Sequence, residues 1–212
     1  MNPRADSVDG VLRRSAAKNP DRVALTFQDR VWTYRELDDA VSRAAGWLRA
    51  RGTSRGDRVA AYGTNSDAYV VAFLACARAG LVHVPINYAL RGAELEYLLH
   101  TSGARVLLVD PALAEASAPV CARLGLDDVV PLRDRPGSLL DAATDGPVPA
   151  IGDEADAGDL AQLLFTSGTT SKPKAAMMSH GALVAEYVSC VIALDLAARD
   201  NPLVCMPLYH SA

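Results

Sequence analysis

The chain is predicted to fold as an α/β protein: a mostly parallel sheet flanked by helices. Two observations lead there. From Val23 to Asp110, short apolar runs alternate with stretches of helical periodicity, each bounded by a glycine or a polar cap. Strand–helix–strand at that rhythm requires parallel neighbours, because the intervening helix carries the chain back to the edge where the previous strand began. Composition agrees, since 212 residues with 50% hydrophobic and 22% charged content is an ordinary globular balance. That length allows one large domain or two small ones.

Each element has its own justification. Val23–Phe27 and Val31–Tyr34 read as two short strands around a turn at Asp29-Arg30. Thr33 and Glu36 form a capping box, opening a helix with Leu37, Val41, Ala44, Ala45 and Leu48 on one face, which Gly52 stops. Arg58–Tyr62 is a strand. Asn65-Ser66-Asp67 caps a helix from Ala68 to Ala79 that is apolar nearly all round and therefore buried. Gly80 ends it and Leu81–Pro85 is the next strand. Gly92–Ser102 is a helix with Leu95, Leu98 and Leu99 inward, and Arg105–Val109 is a strand. Ala112–Leu124 reads as helix and Val129-Val130 as a short strand. Residues 134–159, rich in Asp, Gly, Pro and Ala, read as an acidic surface connector. Leu160–Phe165 resumes the apolar run, Ala175–Met178 returns as the second strand of a hairpin, Gly181–Leu196 is helical, and Leu203–Met206 is a final strand. The division is 1–133 as a first α/β subdomain, 134–159 as connector, and 160–212 as a further segment.

Several function classes are excluded or disfavoured. The formal net charge is −4, and no basic stripe with interleaved aromatics argues for nucleic acid. The longest apolar stretch, Ala68–Ala77, is too short to span a membrane. The N-terminal residues have no continuous apolar core with a cleavage site, so no secretory signal is expected. Cys76, Cys121, Cys190 and Cys205 are widely separated without a CxxC pair. Cys76, Cys190 and Cys205 lie in apolar surroundings, so they read as buried thiols in a reducing compartment, with the cytoplasm as the default.

One segment carries chemistry. Thr166 to His180 reads TSGTTSKPKAAMMSH, directly after the apolar run Leu163-Leu164-Phe165. Gly168 lets backbone N–H groups approach an anion closely. Ser167, Thr169, Thr170 and Ser171 add hydroxyl donors, while Lys172 and Lys174 add positive charge. Such a loop suits a polyphosphate. It is not a Walker A loop, which needs a second Gly followed by Lys and Ser or Thr, and it holds no GxGxxG fingerprint.

The segment resembles the signature loop of the adenylate-forming superfamily, which includes acyl-CoA synthetases, luciferases and adenylation domains of peptide synthetases. Ser171 and Ala175 stand where that pattern usually has glycine. Trp32-Thr33-Tyr34-Arg35-Glu36-Leu37, Ala77–Asn87 and Arg105–Asp110 resemble the family's earlier landmarks; these are core packing and support fold alone. Pro207-Leu208-Tyr209-His210 resembles the motif of acyl- and aryl-CoA synthetases, where amino-acid adenylation domains carry Phe-Asp instead. With no acid there to pair a substrate ammonium, an amino-acid substrate is disfavoured.

The resemblance implies, for the full-length parent, ATP-dependent activation of a carboxylic acid, a fatty acid foremost, to acyl-AMP, followed by transfer to coenzyme A; these 212 residues by themselves are expected to lack that activity. Thr166, Ser167, Gly168, Thr169, Thr170 and Ser171 are expected to grip the ATP phosphates, with Thr166 also touching Mg²⁺ and Lys174 neutralising charge. Lys172, at a variable position, is expected to be solvated. His210 either orients the carboxylate or gates the pocket, or else is a structural hydrogen-bonder. His180 is expected to close the loop by hydrogen bonding, and His83 and His100 to be structural. The family's later motifs for adenine, ribose and the adenylating lysine do not follow Ala212, which implies an incomplete N-terminal domain whose C-terminal portion is the missing partner. Two alternatives stay open: a non-catalytic nucleotide-binding module, and an acyl-AMP ligase that delivers to a carrier protein. Homo-oligomerisation is also left open.

Overall fold

The computed structural model describes residues 7–152, 155–166 and 172–210. Helix α1 (Val8–Lys18) opens with Ser7, whose hydroxyl accepts the Gly10 N–H at 3.0 Å. An antiparallel hairpin follows, β1 (Val23–Phe27) and β2 (Arg30–Thr33). The capping box forms as expected: Thr33 Oγ1 accepts the Glu36 N–H at 3.2 Å and Glu36 Oε2 accepts the Thr33 N–H at 2.8 Å. It starts α2 (Tyr34–Ala50), whose Leu37, Val41, Ala44, Ala45 and Leu48 are buried.

The main body runs β3 (Arg58–Tyr62), α3 (Asp67–Arg78), β4 (Val82–Ile86), α4 (Gly92–Ser102) and β5 (Val106–Val109). A 3₁₀ turn at Pro111–Leu113 precedes α5 (Ala114–Leu124), β6 (Val129–Pro131) and α6 (Leu139–Thr144). The last elements are β7 (Leu160–Thr166), β8 (Lys174–Ser179) and α7 (His180–Ala193). Six strands make one sheet in the order β6-β5-β3-β4-β7-β8, parallel except for the β7–β8 hairpin at one edge. Alternation along the strands separates two cores. Val59, Ala61, Val106 and Leu108 face α2, α3 and α6, whereas Ala60, Tyr62, Leu107 and Val109 face α4 and α5. Burial on both faces is why these strands read as unbroken apolar runs.

Differences from expectation have local causes. The acidic connector contains α6, whose Leu139, Leu140 and Ala143 are buried against the first core. Helix α1 is held on by polar burial more than by an apolar stripe. The fully buried Arg78 guanidinium donates to Asp9 Oδ1 at 2.7 Å, to Ser42 Oγ and the Asp38 carbonyl at 2.6 Å, and to the Asp38 carboxylate. Leu203–Met206 forms no strand; the segment is exposed, with Leu203 90% accessible, and the structure records no strand pairing for it. Cys190 and Cys205 are exposed, and only Cys76 and Cys121 are buried. The reason is that α7 buries His180 and Leu183 alone, leaving Val188, Val191 and Ile192 on the surface with Cys190. No helix among the described residues is long and apolar enough to cross a membrane.

Candidate functional site

The carboxyl ends of β4 and β7 lie side by side, the place where open α/β sheets bind ligands. His83 and Gln162 are register partners across these strands, and their side chains meet at 3.3 Å. From there β7 runs to Thr166 and pairs antiparallel with β8, so that Thr166 stands opposite Lys174. Thr166 Oγ1 donates to the Lys174 carbonyl at 3.3 Å. Both residues are exposed at the open end of the hairpin. Ser167, Gly168, Thr169, Thr170 and Ser171 lie outside the described residues.

The hairpin is braced by α4. Tyr97 OH donates to the Pro173 carbonyl at 3.1 Å, and the Lys172 ammonium sits 5.1 Å from the Tyr97 ring centroid. Lys172 is exposed, yet it lies against an aromatic face and is not simply in water.

A cleft of about 470 Å³ opens beside the hairpin, and Thr166, Phe165, Pro85, Asn87, Tyr209 and His210 are among its walls. Its remaining lining among the described residues, Leu90, Leu98, Leu164 and Pro173, is apolar, and none of them is acidic. Tyr209 packs edge-on against Tyr88 at 5.3 Å. The structure thus brings Thr166 and His210 to one cleft, with Lys174 across the hairpin from Thr166. A larger cleft, about 570 Å³, lies at the amino ends of β5 and β6 against Arg51, His100 and Arg105. None of the described candidate site residues, Thr166, Lys174 and His210, lines it.

The other histidines sort by burial. His83 is buried between the edges of Tyr69 and Phe73, and burial holds its pKa down at about 3, so it is neutral. His180 is buried too, and desolvation lowers its pKa against the opposing pull of Asp159 and Asp9. Its described hydrogen bond is not to the loop: Nδ1 accepts the Val8 N–H at 3.3 Å, joining α7 to α1. No group of three or more His, Cys, Asp or Glu side chains among the described residues could hold a metal ion. A hydroxyl such as Thr166 Oγ1 would suit an Mg²⁺ ion that arrives with phosphates, since Mg²⁺ keeps several waters and takes few protein oxygens.

Sequence reading missed one contributor. Asn65 served there only as part of a helix cap, but its side chain reaches the Met206–Leu208 backbone beside the cleft. Nothing local in the sequence signals a contact of that separation.

Comparison with known proteins follows the same lines. The chain is 40% identical over 199 residues to a feruloyl-CoA synthase of an Amycolatopsis species, covering 94% of this chain and 38% of that protein. It is 36% identical over 210 residues to the medium/long-chain-fatty-acid–CoA ligase FadD6 of Mycobacterium tuberculosis, covering 97% of this chain and 34% of the relative. The ATP-bound structure of MatB from Rhodopseudomonas palustris superposes with a TM-score of 0.84 at 32% identity, over 97% of this chain and 41% of that one. The inhibitor-bound N-terminal domain of FACL13 from Mycobacterium tuberculosis gives 0.82 at 27% identity, over 96% and 52% respectively. The chain thus spans well under two thirds of the relatives it matches. The family model for the AMP-binding enzymes matches residues 12–212, nearly the whole sequence, and the chain belongs to that family.

Proposed function

We propose that this chain supplies the phosphate-gripping and acid-facing part of an AMP-forming acid–CoA ligase. In that reaction a carboxylate oxygen attacks the α-phosphorus of ATP and pyrophosphate leaves, giving acyl-AMP. The sulfur of coenzyme A then attacks the acyl carbon, AMP leaves with the bonding pair, and the thiol proton passes to solvent. Thr166 and the loop Ser167, Gly168, Thr169, Thr170 and Ser171 would hold the phosphates through amides and hydroxyls, with Lys174 countering their charge. Mg²⁺ bound to those phosphates would add charge neutralisation, with Thr166 Oγ1 as one of its oxygens. His210, on the cleft wall, would orient the carboxylate.

One observation carries the reading: the cleft beside Thr166 is mainly apolar, ends on His210, and has no acidic lining among the described residues. Such a cleft favours an acid with an apolar body over an amino acid, whose ammonium would need a counter-charge. A fatty acid is the first choice, and an aryl acid the second because of the relative named feruloyl-CoA synthase. The four cysteines form no disulfide, which supports a cytoplasmic setting.

The test combines, in the full-length parent, calorimetric titration with MgATP and a hydroxylamine trap for acyl-AMP across fatty and aryl acids. Hydroxamate that depends on both ATP and acid supports the ligase. Nucleotide binding without hydroxamate would leave a binding module, and no binding would sink both. Transfer of the acyl group to a carrier protein in preference to CoA would select the acyl-AMP ligase alternative.

A further inference from the structure

The loop from β3 to α3 packs four consecutive polar side chains, and each has a different task. Thr64 Oγ1 donates to Asp110 at 3.1 Å, Ser66 caps α3 by accepting the Tyr69 N–H at 3.2 Å, and Asp67 accepts from Arg30 and Trp32. Those three settle nearby structure. Asn65 does not: its Nδ2 donates to the Met206 carbonyl at 2.8 Å, and its Oδ1 accepts the Leu208 N–H at 2.8 Å. A primary amide that gives one bond and takes one, either side of Pro207, fixes both the position and the direction of that backbone.

The segment it holds has no regular structure to fix it. From Leu203 to Met206 the side chains are exposed, and the chain then touches down so that Leu208 and Tyr209 pack against the first core. Tyr209 and His210, the next two residues, are on the cleft wall. A shift of the backbone at Leu208 would move both rings together.

We propose that Asn65 is a positioning residue for the acid cleft, setting the register of Met206–Leu208 so that Tyr209 and His210 stand on its wall. This rests on the reading of that cleft as the acid site. Asn65 touches neither acid nor nucleotide in this scheme and acts only through the backbone it holds.

The experiment uses Asn65→Ala and Asn65→Asp in the full-length parent, alongside the unaltered protein. Two readouts are taken: amide hydrogen exchange at Leu208, and the KM values for acid and ATP in a pyrophosphate-release assay. Loss of two neutral hydrogen bonds should speed Leu208 exchange at least about tenfold in Asn65→Ala and raise the acid KM by a similar factor. The ATP KM should stay within about twofold, a split that general destabilisation would not produce. Asn65→Asp keeps the acceptor for Leu208 N–H and loses the donor to Met206, so Leu208 should stay protected within about threefold while the acid KM rises part-way. Unchanged exchange in Asn65→Ala, or acid and ATP KM rising together, would overturn the proposal. Should the unaltered full-length parent release no pyrophosphate with any acid, the cleft reading fails on its own, and the exchange arm still decides whether Asn65 holds the segment.

Discussion

Replacing His83 with phenylalanine should make the protein markedly less sensitive to acid, and the size of the effect follows from where the ring sits. The imidazole is buried, with the Tyr69 and Phe73 ring centroids 5.7 and 5.3 Å from its own. With the Gln162 amide donating to Nδ1, the ring proton is on Nε2, which has no partner among the described residues. Burial drops the pKa from 6.5 to about 3. Between those values the unfolded chain takes up a proton that the native state refuses. Stability from this group is therefore complete above pH 6.5 and drains away as pH falls toward 3. At about 1.4 kcal/mol per unit, going from pH 6.5 to pH 5 removes roughly 2 kcal/mol. The assay is urea unfolding of both proteins at pH 7 and pH 5. Phenylalanine is larger, so it adds a packing cost of about 1–3 kcal/mol that does not depend on pH and cancels in the comparison. The expected double difference is about 2 kcal/mol in favour of His83→Phe at pH 5. His180, lowered in the same direction, leaves a residual slope in both proteins. Parallel pH profiles would refute the claim that a neutral, desolvated His83 sits in the native core.

Three further outcomes are expected. In the full-length parent, Lys174→Ala should cut the rate of acid-dependent pyrophosphate release about 10- to 100-fold, the worth of one charge-assisted contact, whereas Lys172→Ala, already occupied by Tyr97, should change it less than about threefold. Asp9→Ala should destabilise by roughly 2–3 kcal/mol in denaturant titrations, because it strips one carboxylate from the buried Arg78 while Asp38 remains; a loss under about 0.5 kcal/mol would contradict the role given to that ion pair. Two of the four thiols, Cys190 and Cys205, should react rapidly with a chromogenic disulfide under native conditions. Cys76 and Cys121 should react only on unfolding, and burial pushes both of their pKa values up.

The strands and long helices were legible because the pattern that identifies them is the pattern that buries them. Val106–Val109 is a continuous apolar run since alternate residues meet different helical layers, and α2 announces itself through its capping box and one apolar face. Where burial is not apolar, the sequence is quiet. Helix α1 buries Asp9 and Gly10 beside Val8 and Leu12, and its hold on the body runs through Arg78, a residue that reads as the basic end of a different helix. Helix α6 has six residues, too few to show a period. Apolar character misled in the opposite direction at Leu203–Met206 and along α7, where hydrophobic residues lie on the surface. Periodicity shows which side chains resemble each other, and it cannot show whether a partner surface faces them.

The candidate site divides along the same line. The loop after β7 was visible as a run of hydroxyls and lysines following a strand, whereas Lys174 at its end and His210 in Pro-Leu-aromatic-His were singled out through the resemblance to the adenylate-forming family. Their gathering was not visible, because it depends on pairings no local window contains. His83 meets Gln162 across 79 residues, Tyr97 reaches Pro173 across 76, and Asn65 reaches Met206 and Leu208 across 141 and 143. All three ties begin in elements whose sequences read as core or cap, and all three end on the strands and segments that carry the chemistry. A polar side chain at the carboxyl end of a parallel strand deserves a second reading for that reason. Caps need one acceptor, and Ser66 already supplies it for α3, so the amide of Asn65 was surplus to the local structure. Surplus hydrogen-bonding capacity at that edge of the sheet is what a distant segment can use.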